Sequence, residues 1–184
     1  MGKALVLGAS GAIGSAVVRR LEGLGHTCVL TTSSPTAHAD WLHVTAIDCS
    51  ALTDTGPYDA VVWAQGLSTN DSTDAWAPEG YDAVMDANVR FVMNTVARLV
   101  DGNAVAPGAR LVIVGSLWGL HARPGKLSYT VSKSALGGVV RAVAADLGNR
   151  GITVNQVCPG PVDTPMTRAT LATEQIAVAA AAVP

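Results

Sequence analysis

The fold is decided by residues 3–14, Lys3-Ala-Leu-Val-Leu-Gly-Ala-Ser-Gly-Ala-Ile-Gly14, where a short apolar run passes directly into a glycine-rich turn. The apolar run predicts a buried strand, and the amphipathic stretch at 15–24 predicts a helix. Glycines let the backbone turn tightly and approach a pyrophosphate, which the amide groups and positive dipole end of the helix can bind. The pattern favours a dinucleotide-binding unit, although a simple tight connection would contain the same glycines.

Further apolar runs continue the alternation of strands and helices. We predict six parallel strands, at 3–8, 27–32, 42–47, 58–63, 109–115 and 151–157, and helices at 12–24, 80–101 and 128–149. The connections 33–41 and 49–57 are too short for a full helix, but nine extended residues span about 30 Å, enough to cross several strands. The fold class is therefore α/β, a single Rossmann-type doubly wound parallel sheet, trimmed at two crossovers, with strand order 3-2-1-4-5-6.

A second pattern indicates the chemistry. Thirteen positions separate Ser116 from Tyr129, and four separate Tyr129 from Lys133. On a helix, the four-residue spacing places the tyrosine and the lysine on one face, so that the ammonium can lower the pKa of the phenol. Ser116 ends an apolar run, and the carboxyl ends of such strands are where ligands bind in open α/β sheets. A Tyr-x-x-x-Lys pair alone would also fit an ordinary solvated helix face.

Four blocks of the chain, in order, resemble the short-chain dehydrogenase/reductase family, in its short ketoreductase-like branch. They are the glycine turn with Gly8, Gly11 and Gly14, the segment Ala64-Gln65-Gly66 in place of Asn-Ala-Gly, the set Ser116, Tyr129 and Lys133, and the segment Pro159-Gly160-Pro-Val-Asp-Thr164. The likeness runs from Lys3 to about Met166. It implies an NAD(P)-dependent oxidoreductase that transfers hydride to or from the carbonyl of a small metabolite.

Two departures from the family pattern leave alternatives open. Ala12 replaces a glycine, so the turn also has the Gly-x-x-Gly-x-x-Gly spacing of epimerase-like members, and an epimerase or dehydratase is one alternative. Trp63 stands where the family often has asparagine, and its indole could pack under the sheet. A non-catalytic NAD(P)-binding sensor or scaffold protein is the other alternative, because the crossovers are short.

The resemblance implies a role for each matched residue. Tyr129 would be the general acid, Lys133 would lower its pKa and hold the nicotinamide ribose, and Ser116 would orient the substrate oxygen. Asn88 would reach the lysine through water, although a mid-helix asparagine can also bond only locally. The predicted cofactor-binding residues are Gly8, Ser10, Gly11, Ala12, Ile13, Gly14, Thr32, Ser33, Ser34, Asp48, Cys49, Ala64, Gln65, Gly66, Tyr129, Lys133, Pro159, Gly160, Val162 and Thr164.

Cofactor choice is expected at the end of the second strand. An acidic residue there would bond the ribose 2′-hydroxyl and repel a 2′-phosphate, and none is present. The hydroxyls of Thr32, Ser33 and Ser34 could accept the phosphate, so we expect NADP(H) to be preferred, with NAD(H) possible. Asp48 would touch the adenine ring, unless it only forms a turn.

Composition narrows the partners. A net charge of −2 without a basic stripe does not favour nucleic acid or a membrane surface, so the expected partner is a small carbonyl or alcohol substrate. Cys28, Cys49 and Cys158 lack metal-ligand spacing and predict reduced core thiols and no metal site. Met1 leads directly into a strand without a signal peptide, so a cytoplasmic location is expected.

The remaining expectations concern assembly and the substrate side. We expect residues 1–166 to form the NAD(P)-binding domain with its built-in catalytic site and residues 167–184 to form part of a substrate lid, since the last strand of the family has no counterpart. Pocket candidates are Leu67, Trp76, Trp118 and His121. A homodimer or homotetramer would pair the helices 80–101 and 128–149 through the stripes Val84, Val92, Val96 and Leu99, and Leu136, Val140 and Val143.

Overall fold

The computed structural model describes residues 2–33, 40–45, 48–170 and 172–181. The strands are β1 (Lys3–Leu7), β2 (Thr27–Thr32), β3 (Leu42–His43), β4 (Tyr58–Trp63), β5 (Val105–Val114) and β6 (Thr153–Val157). The α-helices are α1 (Ala12–Gly23), α2 (Pro78–Met85), α3 (Phe91–Asp101), α4 (Leu127–Leu147), α5 (Pro165–Thr170) and α6 (Thr173–Ala181). A π-helical turn, Asp86–Arg90, joins α2 to α3, and 3₁₀ turns span Ser50–Thr53, Leu117–Gly119 and Gly148–Arg150.

The strands form one parallel sheet in the order β3-β2-β1-β4-β5-β6, which confirms the predicted α/β class and topology. The strand β1 is a continuous apolar run, with residues 4–7 all buried, because helices and connections cover both faces of the sheet. The connection at 49–57 contains only a 3₁₀ turn, as its length predicts. Most of the other short connection, 34–39, lies outside the described residues.

Three elements differ from the prediction by more than two residues or in continuity. The strand β3 has only two residues against the predicted 42–47, because the chain turns at Thr45, whose amide donates to the Asp48 carbonyl at 2.8 Å; residues 46 and 47 lie outside the described part of the chain. The strand β5 begins at 105 rather than 109, with a register shift opposite Tyr58. The predicted helix 80–101 is interrupted by the π-helical turn.

The main core lies between the sheet and helices α3 and α4. Trp63 is only 1% exposed there, and its indole N–H donates to Thr95 Oγ1 at 2.7 Å. The expectation that this indole packs under the sheet is therefore confirmed. A buried indole needs such a partner, because an unpaired N–H in an apolar core is costly.

The apolar stripes predicted to pair two copies of the chain are used within one copy. Five of these residues are buried in the chain's own core, namely Val84, Val92, Val96, Leu99 and Leu136. Val140 and Val143 pack against the same core. These helices therefore cover the sheet with their apolar faces, while Val140 and Val143 stay partly exposed, and the oligomer remains a prediction.

The described part of the chain after β6 contains α5 and α6 and no strand. The predicted domain boundary after 166 would fall inside α5, which begins at Pro165. The lid role of the segment remains a prediction. Cys28, Cys49 and Cys158 form no disulfide and are only partly buried, so the prediction that they lie in the core was too strong, and their reduced state remains a prediction. Within the described residues, no helix is long and apolar enough to cross a membrane.

Candidate active site

A cleft of about 770 Å³ runs along the carboxyl edge of the sheet. Its walls come from the turns after β1, β2 and β4, from the α2–α3 region and from the start of α5. A volume of this size lies within the range of ligand pockets, about 300–1,000 Å³. The lining residues are Gly8, Ser10, Gly11, Ala12, Ile13, Thr31, Thr32, Ser33, Val44, Thr45, Ala64, Gln65, Gly66, Leu67, Ala83, Asp86, Ala87, Phe91, Thr164, Pro165 and Met166.

The glycine turn forms one wall of this cleft. Gly8 has a φ of +79°, and a Cβ there would lie 2.6 Å from the backbone nitrogen of Gln65. The turn after β1 and the turn after β4 therefore pack backbone to backbone, which only glycine allows. The Gly11 amide donates to the Gly8 carbonyl at 3.0 Å, and α1 begins at Ala12. The N-terminus of α1 thus lies at the cleft, as the sequence predicts.

A smaller pocket of about 130 Å³ adjoins the cleft, and Ile13, Thr164 and Met166 line both. It contains Ser116 and Tyr129, two of the predicted catalytic residues. The other lining residues are Ser68, Gly115, Trp118, Arg123, Lys126, Pro159, Gly160, Pro161, Val162 and Thr167. We refer to it below as the tyrosine pocket.

Tyr129 lies on the first turn of α4, and Ser116 lies close enough to its hydroxyl to favour the phenolate. Ser116 is buried at the end of β5, and its Oγ accepts from the Trp118 amide at 3.2 Å. Burial raises the pKa of Tyr129, and Ser116 only partly opposes that rise. The phenol therefore keeps its proton at neutral pH, and the expectation of a lowered pKa is wrong for this state of the protein.

Lys133 lies one turn further along α4 and is only 5% exposed. Its ammonium is 5.9 Å from the centre of the Tyr129 ring and donates to the Val114 carbonyl at 3.1 Å. Burial lowers the pKa of Lys133 to about 8. The two side chains do share one face of the helix, but removal from water, rather than their mutual attraction, dominates both pKa values.

Asn88 joins three elements of the site. It lies in the π-helical turn and is 1% exposed, and its amide oxygen accepts from the Leu67 N–H at 2.8 Å. Its amide nitrogen donates to the Leu67 carbonyl and to Ser132 Oγ, both at 2.9 Å. A Cβ on Gly66 would lie 3.0 Å from the Asn88 oxygen and 3.3 Å from the Lys133 nitrogen. Asn88 and Lys133 therefore flank Gly66, behind the wall of the cleft.

Most of the predicted cofactor-binding residues border these two spaces. Gly14 does not line the cleft but lies buried against Gly8. Thr164 lines both spaces and caps α5, since its Oγ1 accepts from the Thr167 amide at 3.1 Å. Pro159, Gly160 and Val162 line the tyrosine pocket. Ser34 lies outside the described residues.

Two predicted contacts are not found at the cleft. The Asp48 carboxylate accepts from the backbone N–H and the hydroxyl of Ser50, at 3.1 and 2.8 Å, so it forms a turn instead of facing the cleft. Cys49 packs against the core. Because the chain turns at Thr45, both residues lie beyond the lining, and Val44 and Thr45 take their place.

Of the four side chains predicted to line the substrate pocket, two line one of the two spaces and two do not. Trp118 lines the tyrosine pocket and Leu67 lines the cleft. Trp76 is an exposed side chain that packs on Tyr81, with the ring centres 6.0 Å apart. His121 is exposed as well and lines neither space.

Arg123 and Lys126 line the tyrosine pocket but belong to no motif. Lys126 lies three residues before Tyr129. In a helix this spacing places two side chains next to each other, but the sequence does not show that α4 begins at Leu127. The residues that line the cleft from α2 and the π-helical turn, Ala83, Asp86 and Ala87, likewise carry no sequence signal.

Comparisons with known proteins agree with this geometry. The family model described as enoyl-(acyl carrier protein) reductase matches residues 39–184. The chain is 27% identical to the 3-oxoacyl-(acyl-carrier-protein) reductase FabG of Rickettsia felis, over 89% of this chain and 73% of that protein. It is 32% identical to the cyclic-di-GMP-binding biofilm dispersal mediator protein of Escherichia coli strain K12, over 87% of this chain and 73% of that protein.

Solved structures show the same fold. A short chain dehydrogenase family protein from Francisella tularensis superposes with a TM-score of 0.85 at 28% identity, covering 97% of this chain and 77% of that one. BdcA in complex with NADPH superposes with a TM-score of 0.82 at 28% identity, covering 95% and 77%. Fold, site geometry and family match agree, and the chain belongs to the short-chain dehydrogenase/reductase family of oxidoreductases.

Proposed function

We propose that the protein transfers hydride between NADP(H) and the carbonyl group of a small metabolite, with Tyr129 as the general acid. The observation that carries the proposal is the grouping of Tyr129 and Ser116 in one pocket, which lies beside a nucleotide-sized cleft and shares lining residues with it. A relative named as a 3-oxoacyl reductase and a neighbour solved with NADPH support the reaction type and the cofactor.

The residues at the cleft fit a dinucleotide. The close backbone approach at Gly8 and the N-terminus of α1 provide a site for a pyrophosphate. At the end of β2 the described lining consists of Thr31, Thr32 and Ser33, without a carboxylate that would repel a 2′-phosphate. NADPH held there would supply the hydride. The residues expected to hold it are Gly8, Ser10, Gly11, Ala12, Ile13, Thr32, Ser33, Ala64, Gln65, Gly66, Tyr129, Lys133, Pro159, Gly160, Val162 and Thr164.

Each polar side chain in or beside the tyrosine pocket would have a separate role in the proton transfer. Ser116 would hydrogen-bond the substrate oxygen and aim it at Tyr129. A phenol whose pKa is raised retains its proton until the carbonyl oxygen becomes basic, and then donates it. The phenolate left behind would be stabilised by the Lys133 ammonium. Asn88 positions the Leu67 backbone and α4, and a water-linked contact with Lys133 remains part of the proposal.

The test replaces Tyr129 with phenylalanine. We expect Tyr129→Phe to bind NADPH like the wild type and to lose about 100-fold or more of its turnover, since a general acid contributes 10²–10⁴-fold. NADPH absorbance with a panel of ketones measures turnover, and fluorescence titration measures binding. Tyr81→Phe, which removes a phenol hydroxyl outside both spaces, is the control. Undiminished reduction by Tyr129→Phe would rule out the mechanism.

The sensor alternative is favoured by one observation, the similarity to a protein named for cyclic-di-GMP binding. It predicts that the wild-type protein binds NADPH or cyclic-di-GMP tightly and oxidises NADPH with no carbonyl compound in the panel. Turnover of any ketone that depends on Tyr129 would reject it. Assembly into a homodimer or homotetramer and a cytoplasmic location stay predictions, tested by light scattering and by fractionation.

A further inference from the structure

The tyrosine pocket is electrostatically one-sided. Of the residues that line it, Arg123 and Lys126 are cationic and none is acidic. The ion pairs found in the described part of the chain join Arg90 to Asp86 and Arg168 to Asp163, so neither pocket cation is neutralised by a carboxylate at contact distance. The protein has a net charge of −2, yet two positive charges lie beside the proposed general acid. This local excess of positive charge favours an anionic ligand in the pocket.

Lys126 is the more constrained of the two cations. It is 5% exposed, and its ammonium donates to Ser68 Oγ at 2.8 Å and to the Thr69 carbonyl at 3.2 Å. These bonds use two of its three N–H groups and aim the nitrogen without neutralising it. Burial lowers the pKa of Lys126, and the Arg123 charge lowers it further, whereas Asp71 opposes the change. A buried ammonium is costly unless an anion accompanies it.

Both cationic side chains make contacts with neighbouring residues that restrict their conformations. The Arg123 guanidinium carbon lies 5.6 Å from the centre of the Trp118 ring, within the range of a cation–π contact. The segment at Lys126 is fixed by Asp71, whose carboxylate accepts from the Ser128 amide at 3.0 Å and from the Ser128 hydroxyl. Preorganised donors of this kind recognise an anion at little cost in ordering.

We propose that the substrate is a small oxo acid, whose carboxylate is bound by Lys126 and Arg123 while its carbonyl lies at Tyr129. The proposal rests on the proposed function and names its substrate class. The Lys126 nitrogen is 5.6 Å from the centre of the Tyr129 ring, so the carboxylate and the reacting carbonyl belong to the same short molecule. The pocket volume, about 130 Å³, also favours a compact substrate.

The carboxylate takes no part in the bond changes. In the reduction, hydride from NADPH adds to the carbonyl carbon and the Tyr129 proton adds to its oxygen, which gives a hydroxy acid and NADP⁺; a proton from water then restores the phenol. The cations fix which end of the substrate meets Tyr129. Lys126 and Arg123 therefore determine specificity, and Tyr129 remains the catalytic residue.

The test compares an oxo acid with its neutral ester. With 3-oxobutanoate and methyl 3-oxobutanoate, the wild type should show a kcat/KM at least about tenfold higher for the acid, the ratio expected for one charge-assisted hydrogen bond. In Lys126→Gln the acid-to-ester ratio should fall to about one, and in Arg123→Gln it should fall part of the way. Arg19→Gln removes the same charge from an exposed position on α1 and should keep the wild-type ratio.

Two results would overturn the proposal. One is a wild type that reduces acid and ester equally well, which leaves the proposed reductase function intact. The other is a Lys126→Gln variant that keeps the acid-to-ester ratio while its KM for NADPH rises, which would assign the cations to a cofactor phosphate. If the wild type reduces neither compound, calorimetric titration of both compounds into the NADPH complex of Tyr129→Phe still decides whether the carboxylate is recognised. The proposed function itself fails only if no ketone of the panel is reduced.

Discussion

Lys133 places a positive charge in a region that is almost inaccessible to water, and burial of this charge lowers the free energy of unfolding. A pKa lowered from 10.5 to about 8 corresponds to about 3 kcal/mol of unfavourable burial in the charged form. The hydrogen bond to the Val114 carbonyl offsets part of it, about 1 kcal/mol. The residue is therefore retained at the expense of stability, which is common for groups in active sites.

Lys133→Met should make the cofactor-free protein more stable at pH 7, by about 1–2 kcal/mol, while abolishing turnover. The unfolded chain binds a proton at this lysine up to pH 10.5 and the folded chain only up to about 8, so wild-type stability rises between these values. The advantage of the variant should be full below pH 8 and disappear as the pH approaches 10.5. Urea denaturation across this range measures it, and a constant difference would contradict the assignment.

For single residues, the sequence predicts which side chains form the site better than it predicts how deeply each of them is buried. The spacing of Ser116, Tyr129 and Lys133 was sufficient to bring them to one site. It could not give the direction of the tyrosine pKa, because that direction depends on burial by distant parts of the chain. Lys126 carried no motif at all, since its role depends on where α4 begins and on what Ser68 contributes.

Three elements meet at Gly66, namely the turn after β4, the π-helical turn and α4. Asn88 is fixed there by three hydrogen bonds, so it cannot move aside easily, whereas the Lys133 nitrogen is the end of a flexible chain. The widened turn of the helix places the Asn88 amide level with the Leu67 backbone. Such π-helical turns are frequent at functional sites.

Gly66→Ala should force Lys133 away from its position, because a methyl group would lie 3.3 Å from its nitrogen and 3.0 Å from the Asn88 oxygen. We expect a loss of about 1–3 kcal/mol in the free energy of unfolding and a clear drop in turnover. Gly138→Ala is the matched control, since nothing lies within 4 Å of the new methyl on α4, and it should stabilise the protein by about 0.5–1 kcal/mol. Equal effects of the two changes on turnover would contradict the role of Gly66.

Among the elements, the order of the strands could be predicted because their apolar runs are continuous and separated by glycine or proline. The end of β3, the early start of β5 and the interruption of the helix at Asp86–Arg90 could not. The interruption of the helix depends on hydrogen bonds between residues far apart in the chain, such as those from Asn88 to Leu67. The end of β3 depends on the turn at Thr45, whose conformation the local sequence does not specify. The sequence identified the apolar stripes of α3 and α4 correctly. It did not show that these stripes pack mainly against the sheet of the same chain.

For the molecule as a whole, we expect the end of β2 to determine which dinucleotide the cleft accepts. Ser33→Asp would place a carboxylate in the lining, where it should repel a 2′-phosphate and accept the ribose hydroxyls of NADH. We expect NADPH binding to weaken at least about tenfold while NADH binding is kept or improved, as measured by fluorescence titration. Ser33→Ala, which removes only the hydroxyl, should have a smaller effect, and tighter NADPH binding by Ser33→Asp would contradict the expected preference.

The overall architecture followed from the sequence, and most of the residues predicted to bind the cofactor line the cleft or the tyrosine pocket, because a glycine turn between a strand and a helix has few structural solutions. The substrate side did not, because it is built from single residues on four separate connections. Asp48 and Cys49 are exceptions on the cofactor side, since the turn at Thr45 leaves both outside the lining of the cleft.

Ile13, Thr164 and Met166 line both the cleft and the tyrosine pocket, so the two spaces have a common partition. A dinucleotide in the cleft would complete the floor on which a small acid then rests. We therefore expect an ordered mechanism, in which the nucleotide binds first and leaves last. Product-inhibition kinetics should show a compulsory-order pattern, in which NADP⁺ competes with NADPH and the hydroxy acid does not.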